Sequence, residues 1–263
     1  AIKNSLPEMH SHLNYEQAYF SFWNGIQLKK VSLSLQPAQE ILRLKSPELD
    51  VFLSLPALIL GQVKISKVKA GKVNFQGGKH FPNSKTMLAM EKWVKQSQEW
   101  SSYSGLSIEA SSVSGQIQGE KVSIKKLSCN LGEEGYLKLG RLQFLKVPVK
   151  NIKMSYLLRK KDTEFVLEQA RFAGGVFKGM YRVQKNGVFF GESQWYNVNL
   201  QKALPLFKHK KKIILSGTSK GKLQSKGRLG DIKNIEAKGS LVANHVVLKN
   251  LALFKTEALR SYA

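Results

Sequence analysis

Apolar and polar residues alternate along most of this chain. In "LKKVSLSLQ" Val31, Leu33 and Leu35 share one side, and in "LDVFLSLPAL" Val51, Leu53 and Leu55 do the same. The alternation continues through Val63 and Ile65, Val73 and Phe75, Val122 and Ile124, Leu137 and Leu139, Leu142 and Phe144, and Ile152 and Met154. Successive side chains of an extended chain point to opposite sides of a sheet, so a period of two marks strands with one buried face. Turn signals such as "QGG" at 76–78, "GEEG" at 132–135 and "KNG" at 185–187 separate the runs. The pattern predicts a meander of about a dozen antiparallel strands.

Three stretches break the rhythm. "SLPEMHSHL" at 5–13 predicts a short opening helix, with Ser5 as cap and Pro7 in the first turn. "SKTMLAMEKWVKQSQEW" at 84–100 places Met87, Met90, Trp93 or Val94, and Trp100 at helical spacing and predicts an amphipathic helix capped by Asn83 or Ser84. "LQKALPLF" at 200–207 predicts a shorter helix limited by Pro205. These helices supply little apolar surface, so something else must complete the oily faces of the strands. Either a second sheet covers them, giving a sandwich or barrel, or they form an open, curved, taco-like groove lined by a ligand. Periodicity leaves both open. The expected fold is mainly all-β, a single domain over 1–263 with sub-blocks at 26–75, 84–100 and 105–253; a chain of this length with 42% hydrophobic residues can bury a large core.

Charge narrows the partners. Lys+Arg number 42 against 18 Asp+Glu, a net +24, so nucleic acid, an anionic membrane or an anionic headgroup are the candidates. The excess is mostly lysine, which weakens base-specific readout, where the planar fork of arginine is favoured. Aromatics interleave with lysines in "YFSFWNGIQLKK" and "WYNVNLQK", but strand cores use aromatics in the same way. The densest charge run, "KHKKK" at 208–212, is either a solvated turn or an anchor for phosphate headgroups through Lys208, Lys210, Lys211 and Lys212. The single cysteine, Cys129, excludes an intramolecular disulfide. No apolar run is long enough to span a bilayer as a helix, and the start at Ala1 carries no signal segment, so a mature or trimmed form is expected.

Catalytic signatures are missing. "GTSKGKLQSKG" at 217–227 has neither the spacing nor the hydroxyl residue of a phosphate-binding loop, and "GGVFKG" at 174–179 lacks dinucleotide spacing. His10 and His12 would share one side of a strand, yet no third metal ligand stands nearby. His80, His209 and His245 have no readable Ser or Asp partner, and Glu133 and Glu134 occupy a glycine-flanked turn where solvated charges belong. No enzyme, no metal and no cofactor are expected.

Two blocks carry a resemblance. "VFLSLPALILGQVKISKVKAGKVNF", within residues 26–75, is similar to the N-terminal module of the AsmA-like family, with Leu55, Leu58, Gly61, Ile65 and Val68 in the family's places. "ARFAGGVFKGMYRVQKNGVFFGESQWYNVNLQKAL" at 170–204, with Gly174-Gly175, and the strand ladder at 215–253 resemble its recurring C-terminal unit. The resemblance, related to TamB and chorein-type lipid-bridging proteins, implies a non-enzymatic, periplasmic β-groove that carries phospholipid acyl chains. It also implies a tether to the inner membrane by an upstream helix that this chain does not contain. Members are usually longer and less basic, so a fragment or a shorter lipid-handling relative is expected. On that reading Val31, Leu33, Leu35, Val51, Leu53, Leu55, Val63, Ile65, Val73, Phe75, Ile152, Met154 and Val198 line the groove. The lysines of 208–212 meet headgroups at a membrane surface. The rival expectations are a basic β-protein that binds nucleic acid and a closed sandwich serving as scaffold or adhesion module.

Overall fold

A computed structural model describes residues 9–21, 25–37, 42–76, 105–117, 120–144, 147–159, 161–184, 186–203, 214–228 and 231–249. These form one open sheet of fourteen strands. The first half comprises β1 (Met9–Asn14), β2 (Gln17–Ser21), β3 (Gly25–Pro37), β4 (Leu42–Leu53), β5 (Ile65–Gln76), β6 (Leu106–Ile117) and β7 (Glu120–Leu131). The second comprises β8 (Glu134–Phe144), β9 (Val147–Leu158), β10 (Asp162–Phe172), β11 (Gly175–Gln184), β12 (Val188–Asn199), β13 (Ile214–Arg228) and β14 (Asp231–Lys249). From β3 to β14 each strand pairs with the next in sequence. All pairs are antiparallel except β5 with β6, which run parallel. β1 and β2 pair with the two halves of β3, so together they act as one interrupted edge strand.

The described helices are both short: α1 (Leu55–Ile59), between β4 and β5, and α2 (Leu200–Ala203), after β12. Two expectations need correction. Residues Met9–Asn14 form a strand, not a helix: Leu13 lies opposite Leu33, and the edge offered by β3 outweighs the local helix-start signal. Leu55 does not continue β4, because Pro56 in the first turn of α1 removes a ladder donor and suits a helix start. The helix expected at 200–207 is present as α2, its remainder lying outside the described residues, as does the whole of 84–100.

Directly opposed residues share a face, so the register divides the sheet into two sides. One side is apolar: Leu28 faces Leu49, Leu49 faces Ala70, Ala70 faces Ala110, and the row continues through Leu127, Leu139 and Ile152. Between those strands, apolar-face positions twice removed become three apart once per strand. The steps run from Leu28 to Val31, Ser46 to Leu49, Ala70 to Val73, Ala110 to Val113, Ile124 to Leu127, Leu139 to Leu142 and Val149 to Ile152. Leu167 to Ala170 on β10 and Trp195 to Val198 on β12 repeat the step.

The steps line up across the sheet: from β3 to β9 both partners take the step together and the register is kept, whereas on β10 against β11 and on β12 against β13 the register shifts in a bulge. Several steps place a non-glycine residue in the left-handed region: Lys30 at φ 49, Lys126 at 56, Asn151 at 51 and Asn197 at 54. A bulge leaves backbone groups unpaired and bends its strand. At one of the steps the buried Ser46 Oγ reaches the carbonyls of Glu48 at 2.6 Å and Lys72 at 2.9 Å. The steps therefore form one continuous row running perpendicular to the strands.

Candidate functional site

No second layer covers the apolar face among the described residues, apart from the two short helices. Among the described residues six of the eleven buried apolar ones are alanines, and the larger side chains of the face are mostly half-buried. A compact cluster sits under α2, where Ala173, Val198 and Ala203 pack with Phe172, Phe177 and Trp195. Phe177 stacks on Trp195 at 6.2 Å, and Phe172 meets Phe177 edge-on at 5.6 Å.

Its chemistry is uniform. Among the register pairs that build this face, none includes Lys, Arg, Asp or Glu except Glu120 at the first position of β7. In a chain carrying 42 basic residues, that segregation is not an accident of composition. The surface is also smooth. Phe75 lies opposite Gly115, Tyr156 opposite Gly135, Tyr181 opposite Gly191, Phe189 opposite Gly227 and Trp195 opposite Gly221. A Cβ at each of these glycines would sit 2.3–3.0 Å from a ring atom of its aromatic partner. The rings lie over the neighbouring strand instead of standing up from the sheet.

Most of the residues assigned from sequence come together here. Val31, Leu33, Leu35, Val51, Leu53, Val73, Phe75, Ile152, Met154 and Val198 occupy apolar-face positions by register. Leu55, Val63 and Ile65 do not line the middle of the face. Leu55 lies in α1, Val63 in the turn after it, and Ile65 at the first position of β5. Lys208, Lys210, Lys211 and Lys212 lie outside the described residues. Sequence reasoning missed Leu28, Leu44, Leu49, Ile108, Leu127 and Phe165, which the register places on the same face. The signal for them was a spacing of three between two runs of spacing two, the imprint of the step shared by neighbouring strands.

The opposite face is polar and basic. Toward the first strands cross-strand pairs neutralise it: Lys29 with Glu48 at 2.8 Å and Lys67 with Glu109 at 2.9 Å. Toward the last strands Arg182 with Glu164 at 3.2 Å and Lys226 with Glu236 at 3.0 Å do the same. Between them Lys125, Arg141, Lys150 and Arg171 stand directly opposite one another on β7 to β10. No acid stands in that row, and like charges so placed repel. Arg141 donates to Gln143 Oε1 at 3.3 Å, while its Nε is buried without a partner. A depression of about 710 Å³ on this side is lined by Arg182, Glu192, Lys226 and Glu236, each paired with a neighbour, and by Lys238.

Among the described residues no group of three His, Cys, Asp or Glu could hold a metal; His10 and His12 pair with Gln36 and Ser34 of β3. Cys129 lies on the apolar face opposite Ile108 and Leu137, and burial raises its thiol above the ordinary value, which makes it a poor nucleophile. Burial likewise raises Tyr156, whose hydroxyl donates to Asn130 O at 3.3 Å and accepts from Gly132 N at 3.2 Å. No described helix is long and apolar enough to cross a membrane, which leaves strand-spanning arrangements untouched. No protein-family model matches the chain, and no curated protein sequence matches it.

Proposed function

We propose that this protein is a non-enzymatic lipid-binding or lipid-transfer module, in which acyl chains cover the apolar face. The observation that carries this reading is that face itself: uncharged apart from Glu120 at the start of β7, smooth, and without a second layer among the described residues. Thirteen strand positions at about 4.8 Å apart give a length of roughly 58 Å. One leaflet's acyl chains span about 15 Å, half of a 30 Å hydrocarbon core, so the face has room for more than one lipid. Each buried methylene gains about 0.8 kcal/mol relative to water, yet almost nothing relative to a bilayer. Such a face holds lipid against water and releases it to a membrane without a chemical step.

The resemblance to the AsmA-like family supports placing the module in the periplasm of a bacterial envelope, in contact with phospholipid and a membrane surface. Native mass spectrometry of the purified protein, followed by lipid extraction, tests the binding. Co-purifying phospholipid near stoichiometric amounts is the expected result. A bare protein that stays bare after incubation with liposomes overturns the reading in favour of a closed, dry assembly. The unpaired row Lys125, Arg141, Lys150 and Arg171 favours a second reading, in which the polar face binds a nucleic acid. That reading requires binding to generic DNA or RNA that weakens steeply with salt; salt-independent or absent binding removes it.

A further inference from the structure

Four large apolar side chains meet water on one short turn. Leu55 is 40% exposed, Ile59 84%, Leu60 76% and Val63 79%. They belong to α1 and the turn that leads into β5, at one end of the sheet. The turn is tightly built. Leu58 N donates to Ser54 O at 3.0 Å, Gln62 N to Ala57 O at 2.8 Å, and Ser54 N to Lys64 O at 2.7 Å, with Ala57 buried beneath. Gly61, at φ +73, ends the helix in the left-handed conformation that glycine adopts without strain. A link between two strands needs none of these exposed side chains, and holding them in water is unfavourable.

We propose that this turn inserts into the interfacial region of a membrane containing anionic lipid and seats the sheet on it end-on. Charge supports that partner: from Val51 to Gln76 the chain has no Asp or Glu, and Lys64 stands beside the apolar tip, whereas Lys67 further along β5 is already paired with Glu109. Size supports it too. Four aliphatic side chains on a projecting turn fall far short of the roughly 800 Å² per partner of a stable protein interface, whereas a bilayer takes up each side chain independently. The tip is also continuous with the apolar face: a cleft of about 280 Å³ lies between Phe20, Leu53, Leu55 and Leu58. An acyl chain leaving the bilayer at this point would enter the face directly. Only that last step rests on the lipid-binding reading.

The test uses co-sedimentation of the full chain with phosphatidylcholine vesicles, with and without phosphatidylglycerol. The second measurement uses a variant carrying Leu60→Cys and Cys129→Ser, with an environment-sensitive dye attached to the introduced thiol. Binding is expected to rise with phosphatidylglycerol, by about five-fold for each lysine at the surface. The dye is expected to shift to the blue and to be quenched by brominated lipid. Ile59→Asp combined with Leu60→Asp is expected to weaken vesicle binding at least about 30-fold, with an unchanged thermal midpoint because both side chains are already exposed. Undiminished binding by that double variant, absent binding by the unaltered chain, or an unshifted dye each overturns the proposal. If the tip inserts while no lipid co-purifies with the protein, the docking site stands and the lipid-binding reading falls.

Discussion

Met154→Glu separates an open, lipid-covered face from a dry core. Met154 sits in the middle of β9, with Leu137 on β8 and Leu167 on β10 directly opposite, and is half-buried. On an uncovered face the new carboxylate turns into water, and the loss is the partial burial of methionine, about 1 kcal/mol. For a chain of this size that lowers Tm by about 2–4 °C. Under acyl chains the same carboxylate faces hydrocarbon, which costs about 3 kcal/mol and weakens lipid binding about 100-fold. Two assays on one preparation read both numbers: differential scanning fluorimetry, and native mass spectrometry during a phospholipid titration. Lys153→Glu, one residue away on the polar face, is the control expected to leave lipid uptake unchanged. A fall in Tm of more than about 10 °C, the signature of a charge in a closed core, would refute the reasoning. Full lipid uptake by the Met154→Glu variant would refute it equally.

Other expectations follow from single features. At Lys126, held at φ 56, Gly should equal or exceed Lys in stability, whereas Val should lose about 1–2 kcal/mol, as read from urea midpoints. Gly221→Val should lose about 1–3 kcal/mol and alter the near-ultraviolet circular dichroism, because a Cβ there would lie 2.3 Å from Trp195 Cζ2. Burial raises Cys129 and Tyr156 above their ordinary values of 9.0 and 10.0, so the folded protein keeps protons that the unfolded chain releases. Their contribution is therefore fully present below the ordinary values and is lost as pH climbs above about 9 and 10 toward the raised ones; Cys129→Ser should remove the lower part of that decline in urea midpoints measured across the range.

Strand periodicity was the legible part of the fold. Val31, Leu33, Val51, Val73, Phe75, Ile152 and Met154 were readable because each lies within an unbroken run of spacing two. Leu28 and Leu49 were not, since the three-residue steps at Lys30 and beside Glu48 shift the phase, and a fixed period then assigns them to the wrong side. Leu55 and Val63 fit the period by coincidence. Pro56 was the contrary signal, and the exposure of the tip depends on where the turn sits, which no period encodes. The parallel pairing of β5 with β6 depends on the path between them, and alternation is the same in either direction. The repulsive row from Lys125 to Arg171 exists only through the register, which joins residues up to 46 positions apart in sequence.

The neighbour-to-neighbour strand order bears on how the chain acquires its structure. From β6 to β14 every strand completes its pairing with the strand made just before it, so loop closure is short and the entropic barrier to each addition is small. Stability then accumulates as a sum of adjacent terms, as in repeat proteins, and not as one all-or-none core. Removing β13 and β14 should leave the rest of the sheet paired, with amide protection in β7 to β10 unchanged by hydrogen exchange. Growth strand by strand from one end suits a polypeptide that emerges progressively from a ribosome or a translocation channel.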